Sequence, residues 1–230
     1  MHGVEAVSLD VTGTLVDGRS VKYFWDVLIP TAYARKHRVP FEKALSHVKQ
    51  TYGTISPDDV RWYLPEYWMK RLGVEGSVEE LLKELKPFIT VFPDVEPVIA
   101  ELSSSHSLIV SSNLPMLLLE AVLDDFKKYF SKIFSSVSTY SLPRKTAEFY
   151  VKVCSDTGFK PQEVLHVGDN FMYDFLIPRF VGMKSLVIKR FKPPRREHEV
   201  DSLKQVLDKI RLGDLRTRVF RLKQNSNRRT

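Results

Sequence analysis

A chain of 230 residues with 43% apolar and 27% charged side chains can bury one substantial core plus a smaller appended module, and this composition excludes a long disordered chain. No apolar run approaches the roughly 20 residues of a membrane span, and the first residues enter a strand-like segment rather than a secretory leader, so a cytoplasmic location is expected. The net charge of +7 sits almost wholly in residues 211–230, where Arg211, Arg216, Arg218, Arg221, Lys223, Arg228 and Arg229 oppose Asp214 (7 − 1 = +6), so the body is nearly neutral and lacks the basic surface of a nucleic-acid binder.

Along the chain, residues 4–9 (VEAVSL) form a short apolar run that ends in Asp-Val-Thr-Gly, which predicts a buried strand feeding a loop. Residues 16–87 then carry helical signals one after another. Ser56 with Pro57 predicts a capped helix start, and Ser77 with Glu80 predicts a capping box. Trp62, Tyr63, Tyr67 and Trp68 are expected to pack this segment's own core. Strand-like runs follow at 107–110, 133–137, 164–167 and 184–188, with helical periodicity at 114–130, 146–158 and 171–180. That alternation predicts an α/β fold: a doubly wound, mainly parallel, Rossmann-like sheet with an inserted α-helical domain, whose ligands gather at the carboxyl ends of the strands. The expected divisions are a core of 1–15 and 88–210, a helical insert of 16–87, and a basic tail of 211–230. Ser202 with Gln205 predicts a final capping box and a helix to about residue 210. Cys154, the single cysteine, lies in a helical stretch, which rules out an internal disulfide and suits a buried role in a reducing compartment.

Chemistry-bearing residues recur at the ends of the predicted strands. Asp10-Val11-Thr12-Gly13-Thr14-Leu15 puts a carboxylate and a flexible turn directly after the first one. Leu108-Ile109-Val110-Ser111-Ser112-Asn113 ends a second strand in hydroxyls and an amide. Arg144 and Lys145 precede a helix that starts near Thr146. Val164-Leu165-His166-Val167-Gly168-Asp169 ends a third strand in a carboxylate, with Asp174 five residues on. Oxygen-rich clusters of this kind suit a hard cation such as Mg²⁺. His166, inside its strand, is expected to be a packed core residue.

These four strings, in this order, resemble the motifs of the haloacid dehalogenase superfamily, and the resemblance covers roughly residues 4–210. It implies that Asp10 is a nucleophile forming an aspartyl-phosphate, that Ser112 and Asn113 meet a phosphoryl oxygen, with Ser111 as the fallback, and that Thr14 holds the loop at the substrate. It also implies that Lys145 offsets charge in the transition state, and that Mg²⁺ is held by Asp10, Asp169 and the Thr12 carbonyl. Asp174 would orient the site or Lys145, and residues 16–87 would form a cap that closes over the site and selects the substrate.

Two positions depart from the pattern. Thr146 stands where a proline usually follows the lysine. Thr12 stands where most phosphatases of this family keep a second aspartate as general acid and base, so slow turnover is expected. The expected function is a Mg²⁺-dependent phosphatase on a small phosphorylated metabolite, as a monomer or homodimer. Two rival readings stay open: a metal-free 2-haloacid dehalogenase, and a catalytically weak binding protein on the same fold that contacts nucleic acid or an acidic partner through its basic tail. The Gly168-Asp169 pair speaks against the first, because a carboxylate beside an anionic nucleophile would blunt its attack unless a cation lay between them.

Overall fold

The computed structural model describes residues 3–213. Strand β1 (Ala6–Leu9) is buried on both faces, as an apolar run of this length demands of a central strand. Five helices then follow without an intervening strand. α1 (Gly18–Tyr23) continues through a π-helical turn, Phe24–Leu28, into α2 (Ile29–His37), and α3 (Phe41–Tyr52), α4 (Pro65–Leu72) and α5 (Val78–Leu85) complete the set. The chain re-enters the core through α6 (Val95–Ser103), β2 (Ser107–Ser112), α7 (Met116–Leu123), β3 (Lys132–Ser135), α8 (Ser136–Tyr140), α9 (Ala147–Thr157) and β4 (Val164–Gly168). A second π-helical turn, Phe171–Leu176, leads into α10 (Ile177–Val181), followed by β5 (Lys184–Ile188) and β6 (Glu199–Val200). Residues 203–213 are helical to the end of the described chain.

The six strands run parallel in the order β3-β2-β1-β4-β5-β6. Side-chain direction alternates along each strand, so each sheet face receives every second residue. Val7, Leu9, Leu108, Val110, Leu165 and Val167 pack under α6, α7 and the last helix. Ala6, Ile109 and Val164 face α9 and α10, where Cys154 is buried as expected. This is the doubly wound α/β sheet that the alternation of elements predicts. Its order reverses between β1 and β4, the position where such sheets open a crevice. Leu9 pairs with Val110 on one side and Val167 on the other, which sets Asp10 at the carboxyl edge of the sheet.

The helical insert buries its own cluster, including Phe24, Leu28, Ile29, Trp68, Leu81 and Leu85, and Leu118 of α7 joins it from the core. Of the four aromatics expected there, Trp68 is buried in the cluster and Tyr67 packs against it, whereas Trp62 is exposed and Tyr63 stays outside the cluster, because both lie on the 3₁₀ turn before α4. The Trp68 indole N–H donates to the Trp62 carbonyl at 2.8 Å. The capping box at Ser77 and Glu80 forms with both of its hydrogen bonds. The segments entering and leaving the insert are tied together: the Asp17 amide donates to the Thr90 carbonyl at 2.8 Å, and the Phe92 amide to the Leu15 carbonyl at 3.1 Å.

Several local expectations need correction. Ser56 starts no α-helix. Its hydroxyl accepts from the Asp58 amide in a tight turn, a 3₁₀ turn follows at Val60–Tyr63, and α4 waits for Pro65 at its first position. The strand expected at 133–137 ends at Ser135, because that side chain accepts from the Ser138 amide and caps α8. The helix expected at 114–130 shortens to α7 and a 3₁₀ turn, Lys127–Tyr129. Gln205 reaches back to the Asp201 amide rather than forming a box with Ser202, and β6 has no strong sequence signal. Of the expected tail, Arg211 belongs to the last helix and pairs with Glu101, while residues 214–230 lie outside the described residues.

Candidate active site

Each cluster of candidate residues arrives at the same sheet edge. The Asp10 amide still donates to the Val167 carbonyl at 2.9 Å, so the residue is held by the ladder. Beyond it the chain folds back at once, the Leu15 and Val16 amides both donating to the Val11 carbonyl at 2.8 and 3.0 Å. Gly13 sits at φ +78°, and a Cβ there would stand 2.3 Å from Asp169 Oδ2, so glycine is needed both for the turn and for the approach of Asp169. Gly168 serves Asp174 in the same way: an added Cβ would lie 2.3 Å from the Asp174 Cγ.

Lys145 joins the carboxylates. Its Nζ donates to Asp10 Oδ1 at 2.5 Å and to the Ser111 carbonyl at 3.2 Å, and pairs with Asp174 Oδ1 at 2.6 Å. Oxygens of Asp10, Asp169 and Asp174 all lie within 4.8 Å of one another. It is Lys145, not the neighbouring Arg144, that faces Asp10. Its loop is pinned by Asn113, whose Oδ1 accepts from the Lys145 amide at 2.9 Å and from Ser136 Oγ at 3.1 Å. Only the Asn113 amide nitrogen is thus left for a substrate. Thr146, in place of a proline, caps α9 by accepting from the Phe149 amide. Ser112 is buried at the end of β2, and its Oγ accepts from the Leu114 amide at 3.2 Å.

Thr12 and Thr14 both have hydroxyl oxygens that are buried without a hydrogen-bond partner among the described residues. Thr14 is fully buried, and its carbonyl accepts from Arg190 Nε at 3.0 Å, which holds the loop in place.

Sequence reasoning missed a closed ring of polar contacts beneath the carboxylates. Ser8 Oγ lies 2.8 Å from Ser111 Oγ and 2.9 Å from His166 Nδ1, and His166 Nε2 lies 3.1 Å from Asp174 Oδ1 and 3.0 Å from the Tyr150 hydroxyl. Asp174 and Lys145 close the ring back to the Ser111 carbonyl. His166 is a core residue, as expected, but one with both ring nitrogens engaged. A signal existed: Ser8 and His166 are polar interruptions of apolar strands at paired positions of β1 and β4. A buried, fully partnered network of this kind fixes a unique geometry.

Burial is the main influence on the Asp10 carboxyl, which is pushed up to about 7 despite the opposing attraction of Lys145, with Asp174 and Asp169 raising it further. Burial would also raise Asp174, but Lys145 and His166 outweigh it and hold that carboxyl below the usual range. Lys145 is held above its ordinary value because the attraction of Asp10 and Asp174 exceeds the cost of burying its charge, and burial lowers His166. Lys145 is therefore charged and Asp174 ionised, and Asp10 is the group whose charge is unfavourable. Three carboxyl groups thus crowd one buried ammonium, and full ionisation of all three is disfavoured without further positive charge. Asp174 has little capacity left for a metal, since Oδ1 faces Lys145 and His166 and Oδ2 accepts from the Asn170 amide at 2.9 Å. Asp10 and Asp169 have more.

Asp10 is only 6% exposed and Asp174 is buried, whereas Asp169 opens to solvent. A cavity of about 670 Å³ lined by Phe175, Arg179, Ser185, His198 and Lys209 involves none of these groups.

A family model described as a haloacid dehalogenase-like hydrolase matches residues 4–177. Over 179 residues the chain is 26% identical to the GMP/IMP nucleotidase YrfG of Escherichia coli, covering 73% of this chain and 75% of that one. Among solved structures it resembles a HAD phosphatase from Thermococcus onnurineus, with a TM-score of 0.75 at 19% identity, covering 90% of this chain and 98% of the other. It also resembles a 2-haloacid dehalogenase from Pseudomonas syringae, with a TM-score of 0.66 at 14% identity, covering 89% and 97%. With the family match spanning most of its length and its carboxylates gathered at the switch point of the sheet, the chain belongs to the haloacid dehalogenase-like hydrolases.

Proposed function

We propose that this hydrolase is a Mg²⁺-dependent phosphatase that cleaves a small phosphomonoester through an aspartyl-phosphate on Asp10. The observation that carries this reading is the juxtaposition of Asp10, Asp169 and Asp174 around Lys145, more carboxyl groups than the one ammonium can neutralise when all are ionised. A divalent cation fits that donor set in both charge and chemistry, because carboxylate oxygens are hard ligands. Asp10, Asp169 and the Thr12 carbonyl would hold it, and when bound it would supply positive charge to the nucleophile and a phosphoryl oxygen. A metal-free dehalogenase would have to leave the Asp169 charge unanswered beside its nucleophile.

In this reading an Asp10 carboxylate oxygen attacks phosphorus, an Asp10 O–P bond forms and the ester P–O bond breaks. The Ser112 hydroxyl and the Asn113 amide nitrogen hold phosphoryl oxygens, and Lys145 stabilises charge on the Asp10 side. The departing alkoxide takes its proton from water, since Thr12 stands where an acid would serve it. Water then adds to phosphorus and gives up a proton to the hydroxide left by the first step, the Asp10 O–P bond breaks, and phosphate leaves with the carboxylate restored. The helical insert acts as the cap that excludes bulk water and reads the rest of the substrate. The nucleotidase relative makes nucleoside monophosphates the first candidates.

The test is a panel of phosphomonoesters, nucleoside monophosphates included, and 2-haloacids, each with Mg²⁺ and with chelator. Mg²⁺-dependent phosphate release that Asp10→Asn abolishes is the expected result. Thr12→Asp should raise turnover by about 10² or more, the scale of a positioned acid. Halide release in chelator would establish the dehalogenase instead, and silence with every substrate would leave a binding protein on this fold.

A further inference from the structure

Arg144 and Lys145 are consecutive residues of the loop that Asn113 pins, yet their charged groups keep different company. The Arg144 guanidinium donates to the Tyr173 hydroxyl at 2.5 Å, lies 5.7 Å from the centre of that ring, and pairs with Asp58 at 2.8 Å. The Tyr63 phenol is near enough for the two groups to influence each other electrostatically. Asp58 and Tyr63 belong to the stretch between α3 and α4 in the helical insert, whereas Tyr173 lies on the core's π-helical turn. One side chain thus spans insert and core, and both of its core supports adjoin site residues: Arg144 precedes Lys145, and Tyr173 precedes Asp174.

The Asp58 side chain is 75% exposed. An ion pair so open to water and salt is weak, which suits a contact that must break and re-form in every cycle. The phenol contacts give it the geometry a bare ion pair lacks. We propose that Arg144 is a positioning residue that clasps the insert shut over the carboxylates: its contacts with Asp58 and Tyr63 hold the closed state, and the loop and turn it shares with Lys145 and Asp174 register that state at the site. The effect on turnover rests on the phosphatase reading above; the clasp does not.

The experiment compares the full chain with Arg144→Ala, Asp58→Ala, the double variant, and the charge-exchanged pair Asp58→Arg with Arg144→Asp. Lys86→Ala is the control, since it removes the exposed Lys86–Asp124 pair, which also joins insert to core but bears on no site residue. Two readouts are taken: amide hydrogen exchange of residues 53–64, and KM and kcat with p-nitrophenyl phosphate and Mg²⁺. Each single variant at Arg144 or Asp58 should speed exchange and raise KM by about three- to fivefold, the range of an exposed pair, with a smaller change in kcat. The double variant should be no worse than Arg144→Ala, the exchanged pair should recover part of the loss, and Lys86→Ala should leave KM unchanged. Unchanged exchange at 53–64 in both single variants, or losses that add in the double, would overturn the clasp. So would a lower KM in Asp58→Ala, which would make Asp58 a competitor for an anion bound by Arg144. If the parent releases no phosphate, the exchange data still decide the clasp, and it is the phosphatase reading that fails.

Discussion

Asp10 carries an unfavourable charge even with the Lys145 ammonium against it, because burial outweighs that attraction, and this has a consequence for stability with a definite sign. Its carboxyl rises from 3.8 in the unfolded chain to about 7 in the folded one, so between those values the folded state binds the extra proton. Stability from this group is then present at low pH and is lost as pH climbs through 7. Asparagine keeps the shape without the charge. Without divalent cation, Asp10→Asn should match the parent near pH 4 and exceed it by roughly 2–4 kcal/mol above pH 7, the scale of a shift of about three units. Thermal melts from pH 4 to 8 measure this, and a flat difference across the range would refute it. Added Mg²⁺ should raise the melting temperature of the parent by mass action and leave the variant where it was.

At the scale of elements, two glycines separate function from folding. A Cβ on Gly13 meets the outer oxygen of Asp169, an exposed side chain that can rotate away, whereas a Cβ on Gly168 meets the Cγ of buried Asp174, whose two oxygens are both bonded and cannot retreat. Gly13→Ala, also strained at φ +78°, should therefore keep the fold and weaken Mn²⁺ binding at least about tenfold, through loss of a ligand. Gly168→Ala should cost about 1–3 kcal/mol of stability, as overpacking does. Calorimetric titration with Mn²⁺ and chemical denaturation read the two effects, and equal metal affinity in Gly13→Ala and the parent would remove Asp169 from the site. The same elements show what the sequence exposes. Asp10, Lys145 and Asp169 were legible because each directly follows a strand or precedes a helix, where local pattern marks a sheet edge. Ser8, Tyr150 and His166 were harder to read, because their network joins β1 to β2 and β4 across 103 and 158 residues and takes Tyr150 from a helix packed against the sheet. The turn at Ser56 was misread for a related reason: a serine-proline pair caps a turn as readily as a helix, and only Pro65 further on decides which.

At the scale of the whole molecule, the insert is covalently a detour but energetically part of the core. Leu118, fully buried on α7, packs into the insert's cluster with Phe24, Trp68 and Leu85, while its neighbour Leu119 packs against the sheet. α7 therefore has one face in each cluster. A helix shared in this way should make the two regions unfold together, because exposing either one strips α7 of half its burial. Leu118→Ala should destabilise the molecule by about 2–5 kcal/mol, the usual loss for a buried leucine. The sequence provides the probes that decide it. All three tryptophans, Trp25, Trp62 and Trp68, lie in the insert, so fluorescence follows that region while far-ultraviolet circular dichroism follows the whole. In urea the two signals should move to lower midpoint together in Leu118→Ala and remain superimposed. A fluorescence transition that separates from the dichroism, leaving the sheet's midpoint unmoved, would mean that the insert folds as an independent body, and that α7 supports it without transmitting its loss to the catalytic edge.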